Sequence, residues 1–170
     1  MKEFNMIDLG LLSYYIGIEV DQKKDRIKVK QIFYTKKVLK QFAIVDCNSS
    51  KYQMEENFQL KKDVEGILVD LKEYRCIIGC LRYLTHTRPD ITYVVDKVSR
   101  YMEKPTTLHQ QEVTHIFCYV KGSMSYGIQL RKGEEVEELV SFNDIDLDGD
   151  TNDKKSTIGM MFYLNGNLTT

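Results

Sequence analysis

Both prolines of this 170-residue chain, Pro89 and Pro105, fall in one stretch and divide it into three helices. Proline is tolerated in the first turn of a helix, breaks a helix interior, and pushes the residue before it out of helical conformation. Around these two points the apolar residues recur at helical spacing. Tyr74, Ile77, Ile78, Leu81 and Leu84 form one stripe, which predicts a helix over Leu71 to Thr85. A second helix is expected from Ile91 to Met102, where Pro105 stops it, and a third from Thr107 to Lys121, ended by Gly122.

The flanks read differently. Ile16, Ile18 and Val20, then Ile27 and Val29, stand at alternate positions on either side of the polar run Asp21 to Asp25, the pattern of a β-hairpin. Phe33, Tyr34, Val38, Leu39 and Phe42 return to helical spacing with lysines opposite. Residues 46 to 70 hold no sustained period and contain Asn48-Ser49-Ser50-Lys51, so they read as an irregular connection. Toward the C-terminus, Val140 to Phe142 and Gly159 to Leu164 read as two strands around an acidic turn, with residues 131 to 138 a charged linker and domain boundary.

With 42% apolar and 29% charged residues the chain has globular composition, enough for one sizeable core or two small ones. It has no apolar run of membrane-spanning length and no signal-peptide pattern, so an intracellular setting, cytoplasmic or nuclear, is expected. Cys47, Cys76, Cys80 and Cys118 lack zinc-finger spacing and are expected as reduced thiols. Neither they nor His86, His109 and His115 suggest a metal site.

The net charge of -1 conceals an asymmetry: residues 1 to 132 carry 22 Lys and Arg against 16 Asp and Glu, while residues 133 to 170 carry 2 against 9. The basic excess gathers in residues 22 to 40, where Lys23, Lys24, Arg26, Lys28, Lys30, Lys36, Lys37 and Lys40 face only Asp25. Such a cluster is the footprint that phosphate backbones attract, and it is also what a solvated surface looks like. In the acidic turn, Asp144, Asp146, Asp148, Gly149, Asp150 and Asn152 match the first half of an EF-hand calcium loop. The loop's twelfth position requires a bidentate glutamate, and here it is Lys155, whose charge would repel the ion.

The run from Tyr74 to Pro105 reads YRxxIGxLRYLTxTRPDIxYxVxxxSRxMxKP. This pattern resembles the region after the polymerase core in copia-type long-terminal-repeat retrotransposon polyproteins. Asp8-Leu9-Gly10 with Ser13-Tyr14-Tyr15-Ile16-Gly17-Ile18-Glu19-Val20 resembles that family's DLGxLSYFLGIEV, and Lys154-Lys155-Ser156-Thr157-Ile158-Gly159 its RKSTSG. The resemblance covers nearly the whole chain.

It implies an α+β fold in three parts. Residues 1–45 would be the end of a reverse transcriptase palm with a primer-grip-like hairpin and the first thumb helix. Residues 46–132 would be a helical thumb and connection, and residues 133–170 the truncated start of a ribonuclease H-like sheet. The family's Tyr-Val-Asp-Asp turn, whose carboxylates hold the two metal ions of nucleotide transfer, would precede this chain. The expectation is therefore an internal slice of a reverse transcriptase, inactive by itself, with no cofactor of its own although the parent family uses Mg2+.

The implied partner is an RNA/DNA primer-template duplex, with no membrane and no small-molecule substrate. By resemblance, Gly17 would let the backbone pass close to nucleic acid; a bulge or a packing contact explains it equally. Lys28, Lys30, Lys36 and Lys37 are the candidate phosphate contacts. Asp144 corresponds to the first ribonuclease H carboxylate, a vestigial metal ligand unless that domain is complete. Leu147, Asp148 and Met160 replace the family's usual Trp, Ala and Tyr, and Thr114, His115 and Cys118 stand where Lys, Arg and Arg are usual, which suggests a decayed copy with weakened phosphate contacts. Two readings stand beside this one: a non-catalytic nucleic-acid-binding remnant, and a calcium-binding module.

Overall fold

The computed structural model describes residues 10–54, 66–133, 139–146 and 157–169. Its described residues form two antiparallel sheets and four α-helices, a mixed α+β arrangement. The first sheet has the order β1 (Tyr14–Tyr15), β2 (Ile18–Gln22), β3 (Arg26–Lys30) and β4 (Ile128–Arg131). The expected hairpin is β2–β3, in the register Val20 opposite Val29, closed by Lys23 N–H donating to the Arg26 carbonyl at 2.8 Å. Strand β4 was not legible: it adds to β3 from about 100 residues away, with Leu130 opposite Ile27. Nor does a strand begin at Ile16, because Ile16 (φ 45°) and Gly17 (φ 83°) form a tight turn between β1 and β2.

Helices α1 (Ile32–Gln41), α2 (Leu71–Thr85), α3 (Thr92–Ser99) and α4 (Thr107–Gly122) supply the core. Each buries one stripe. Tyr74, Ile77, Ile78, Leu81 and Leu84 of α2 meet Val94, Val95 and Val98 of α3, Val113, Ile116, Phe117 and Val120 of α4, and Val38 and Leu39 of α1. Local chemistry sets the helix starts. The Asp70 carboxylate accepts from Glu73 N–H at 2.6 Å to cap α2. At the start of α4, Thr106 N–H donates to Nδ1 of buried His109, whose ring stacks on Tyr101 at 4.2 Å.

Two helix ends differ from expectation. Pro89 opens a 3-10 turn, Pro89–Ile91, and α3 stops at Ser99, where the Ser99 hydroxyl donates back to the Val95 carbonyl at 2.6 Å and competes with the helix ladder. Gly122 is the last residue of α4, not a left-handed stop beyond it, and its smallness serves packing: a Cβ there would sit 3.0 Å from Ser49 Cβ. Of the irregular connection expected over 46 to 70, the described residues 46–54 and 66–70 hold no helix or strand apart from an isolated bridge at Leu68, and residues 42–54 lie along α4, with Lys121 Nζ donating to the carbonyls of Val45 and Cys47.

The second sheet has the order β5 (Leu139–Asp146), β6 (Thr157–Leu164) and β7 (Asn167–Leu168). It adjoins the first sheet where β7 runs beside β4. Asn167 accepts from Arg131 N–H at 2.6 Å and donates to the Arg131 carbonyl at 2.9 Å, pairing with β4 as a neighbouring strand would.

Candidate nucleic-acid interface

The turn at Ile16–Gly17 is the most constrained backbone near the basic cluster. A β-branched residue in left-handed conformation costs roughly 1–2 kcal/mol, so Ile16 must be held from outside. The Tyr83 hydroxyl of α2 does this by donating to the Ile16 carbonyl, and Tyr34 of α1 packs edge-on against Tyr83 with ring centroids 4.8 Å apart. Desolvation by burial, then the hydrogen bond with Cys80, raises the Tyr34 pKa far above its usual value, so its hydroxyl stays protonated. The space a Gly17 side chain would enter is bounded by the Tyr83 and Tyr34 rings at 3.7 and 3.8 Å. Glycine at position 17 is thus accounted for by the positive φ of the turn. Tyr14, Tyr15 and Ile16, in and just before this turn, and Phe33 in the first turn of α1 are exposed apolar groups.

The four candidate lysines occupy unlike environments. Lys30 lies 3.9 Å from Glu19, whose carboxylate also accepts from Phe33 N–H at 2.8 Å at the positive end of α1. Part of its charge is therefore spent within the fold. Lys28 stands opposite Asp21 in the β2–β3 register. Lys36 and Lys37 are exposed on α1, beside the buried Thr35, Val38 and Leu39. Lys37 is near enough to Cys80 to act on its thiol electrostatically, which places this end of the cluster beside α2.

That neighbouring face of α2 was missed from the sequence. Lys72, Arg75, Gly79, Arg82 and His86 follow one another at spacings of three and four and are all exposed, with Gly79 opposite the buried stripe. Arg75 and Arg82 are each pinned to the 99–102 segment through Nε, to the Met102 carbonyl at 3.1 Å and the Ser99 hydroxyl at 3.2 Å. This leaves the outer edges of two guanidinium forks on either side of a glycine. Among the described residues nothing lies within 4 Å of the position a Gly79 Cβ would take. A glycine inside a helix costs about 1 kcal/mol relative to alanine, and no neighbour among the described residues requires it. The signal was legible as a basic heptad-like spacing, but burial was needed to show which side faced out.

The Thr87-Arg88-Pro89-Asp90 motif has a different role. Arg88, only 3% exposed, forms a two-pronged pair with Asp90 at 2.9 and 2.7 Å and donates to the Ser123 carbonyl and hydroxyl at 3.1 and 2.7 Å. Tyr119 donates to Asp90 at 2.8 Å, and Thr87 donates to Gln31 at 2.8 Å. Burial alone would raise the Asp90 pKa, but the hydrogen bonds from Arg88 and Tyr119 outweigh it and hold it below the usual carboxylate value. The motif ties α1, the 3-10 turn and α4 together. His115 likewise turns inward, with Nε2 3.1 Å from both the Ser50 hydroxyl and the Tyr52 carbonyl, so a cation at that position would meet the 42–54 connection.

Asp144 lies on β5 with its Cα opposite Gly159 of β6. Residues 147–156, which carry most of the calcium-loop pattern and Lys155, fall outside the described residues. The element that follows is a strand, β6, where an EF-hand requires a helix. Among the described residues no three His, Cys, Asp or Glu side chains converge to hold a metal, and no helix is long and apolar enough to cross a membrane.

Residues 1–56 match the family described as reverse transcriptase (RNA-dependent DNA polymerase). The chain is 33% identical over 163 residues to the retrovirus-related Pol polyprotein from transposon RE1 of Arabidopsis thaliana, a match covering 96% of this chain and 11% of that protein. It is 30% identical over 166 residues to an uncharacterised mitochondrial protein of the same plant, covering 97% of this chain and 68% of the relative. A third relative, the Pol polyprotein from transposon TNT 1-94 of Nicotiana tabacum, is 29% identical over 174 residues, covering 97% of this chain and 13% of that protein. The chain thus spans about a tenth of the Pol polyproteins it matches. No solved structure matches it.

Proposed function

From the premise that this chain belongs to the copia-type retrotransposon Pol polyproteins, within their reverse transcriptase region, we propose that residues 14–132 hold a primer-template duplex by its backbone. Residues 1–45 then correspond to the palm end and first thumb helix, 46–132 to thumb and connection, and 133–170 to the start of a ribonuclease H-like sheet. The observation that carries the reading is the outer face of α2. A glycine that the fold does not need, flanked by Arg75 and Arg82, lets a bulky polyanion approach the helix backbone while the guanidiniums bind its phosphates. The exposed Lys36 and Lys37 extend the positive surface, and Tyr14, Tyr15 and Phe33 offer rings for sugar or base faces.

The family implies magnesium in the parent polyprotein, where it would stabilise the attacking and leaving oxygens of phosphoryl transfer. The described residues bring no donor set together for it, and the role proposed here is binding and positioning. Asp144 remains the candidate ribonuclease H carboxylate of this reading.

The test is duplex binding, by fluorescence anisotropy on an RNA–DNA hybrid across a salt series. Replacing Lys72, Arg75 and Arg82 with Gln should flatten the log–log salt slope by up to about 2.7 units without changing sequence preference, since each phosphate contact contributes about 0.9. The variant Lys28, Lys30, Lys36, Lys37→Gln should flatten it by less than four contacts' worth, because Lys30 is partly committed to Glu19. An unchanged slope in a folded α2 variant would overturn the reading.

A further inference from the structure

The 42–54 connection and α4 carry the chain's one long-range pair of adjacent thiols among the described residues. Cys47 and Cys118 are both half-buried, and their sulfurs are within hydrogen-bond reach of each other. The backbone around them is fixed from three directions. Ser50 N–H donates to the Cys118 carbonyl at 3.3 Å, and Lys121 Nζ donates to the Cys47 carbonyl at 2.8 Å. One turn away, a Cβ on Gly122 would already press on Ser49 at 3.0 Å. The connection is therefore held against α4 with the two cysteine side chains as neighbours. Cys76 and Cys80, by contrast, lie four residues apart on one helix, where bridging would bend α2.

We propose that Cys47 and Cys118 form an intramolecular disulfide by exchange with a small-molecule disulfide such as oxidised glutathione, stapling the connection to α4. The Cys47 thiolate attacks one sulfur of oxidised glutathione, forming a mixed disulfide and releasing one glutathione thiolate. The Cys118 thiol then loses its proton to solvent and attacks the Cys47 sulfur, expelling the second glutathione thiolate. Two protein thiols are oxidised and one glutathione disulfide is reduced to two thiols.

The order follows from the setting. Burial, and then the contact with Cys47, pushes the Cys118 thiol up to about 12, so it remains protonated at neutral pH and is a poor first nucleophile. In the second step its proximity to the Cys47 sulfur compensates. Half-burial leaves Cys47 accessible to a small disulfide. The bridge closes a loop of about 70 residues, a length at which the entropy removed from the unfolded chain is large.

The experiment uses the full chain with Cys76→Ser and Cys80→Ser, equilibrated in glutathione redox buffers, alkylated and digested for mass spectrometry, both natively and in urea. The expected product is a Cys47–Cys118 linked peptide. Its ratio to the dithiol form should be at least about 100-fold higher in the native chain than in urea at the same buffer ratio. The oxidised form should melt about 5–10 °C higher. Adding Cys118→Ser should trap the Cys47–glutathione intermediate, and the unsubstituted chain should give the same linkage as its main product. A native ratio no greater than that in urea, a stable glutathione adduct in place of the bridge, or bridging chiefly through Cys76 or Cys80 in the unsubstituted chain would each overturn the proposal.

Discussion

Phe117 and Phe142 are the same side chain in two regions of one chain. Phe117, on α4, is 0% exposed and lies against Phe42 with centroids 6.2 Å apart. Phe142, on β5, is 56% exposed and meets only the edge of Tyr163, at 5.7 Å, among ring neighbours. On its face of the sheet stand Val140, Met161 and Tyr163, an apolar set by composition, yet Met161 too is largely exposed. The helices bury their stripes because four of them face one another, whereas the described part of the β5–β7 sheet has no second layer over it. Hydrophobic patterning selects an element, but burial requires a layer to pack against.

The largest effect should test this contrast. Phe117→Ala is expected to cost about 3–5 kcal/mol in urea unfolding, from lost transfer energy and an unfilled cavity. Phe142→Ala should cost about 1 kcal/mol or less, chiefly its edge-on pair with Tyr163. Equal losses would show that both regions share one core.

Charge shows the same dependence on surroundings. Asp90→Ala would leave the buried Arg88 without its carboxylate and should cost about 3 kcal/mol, while Asp96→Ala, which breaks the exposed pair with Arg100 at 3.3 Å, should cost under about 0.5. The pH dependence follows from the sign of the Asp90 shift. Its carboxyl is held lower in the folded chain than in the unfolded one, so the unfolded state takes up a proton first as pH falls. The stability it contributes is complete above the unfolded value, about 3.9, and is lost as pH drops through the folded one. Melting temperatures should therefore decline more steeply below about pH 4 in the parent chain than in Asp90→Asn. Parallel profiles would remove Asp90 from the acid response.

These contrasts also explain what could be read in the sequence. The bounds of α2 coincide with those expected, because five buried residues and the Asp70 cap agree on them. Strand β4 escaped notice since four residues carry little periodicity and their partner, β3, is far along the chain. The Ile16 turn was hidden because a β-branched residue is among the last to be assigned a positive φ; only the hydroxyl of Tyr83, from another element, makes it tenable. At the candidate interface the lysines of residues 22 to 40 were legible as charge, but the Glu19 commitment of Lys30 and the exposure of the α2 basic face depend on how elements pack. The Arg88–Asp90 pair resembled a motif without showing its purpose, which lies in its contacts with Ser123 and Tyr119.

The smallest effect separates folding from binding most cleanly, through two glycines of the helical region. Gly122 sits where a Cβ would press on Ser49, so Gly122→Ala should destabilise unless the connection shifts. Gly79 faces open space, and Gly79→Ala should stabilise the chain by about 0.5–1 kcal/mol through reduced backbone entropy in the unfolded state. A fold selected for stability alone would carry the alanine. If α2 instead approaches a duplex backbone, the added methyl stands between the helix and the phosphates, so the more stable variant should bind the RNA–DNA hybrid several-fold less tightly while Lys72, Arg75 and Arg82 remain in place. Stability and affinity that rise together, or affinity that stays unchanged, would mean that the glycine serves no partner on this face and that the duplex must lie elsewhere on the molecule.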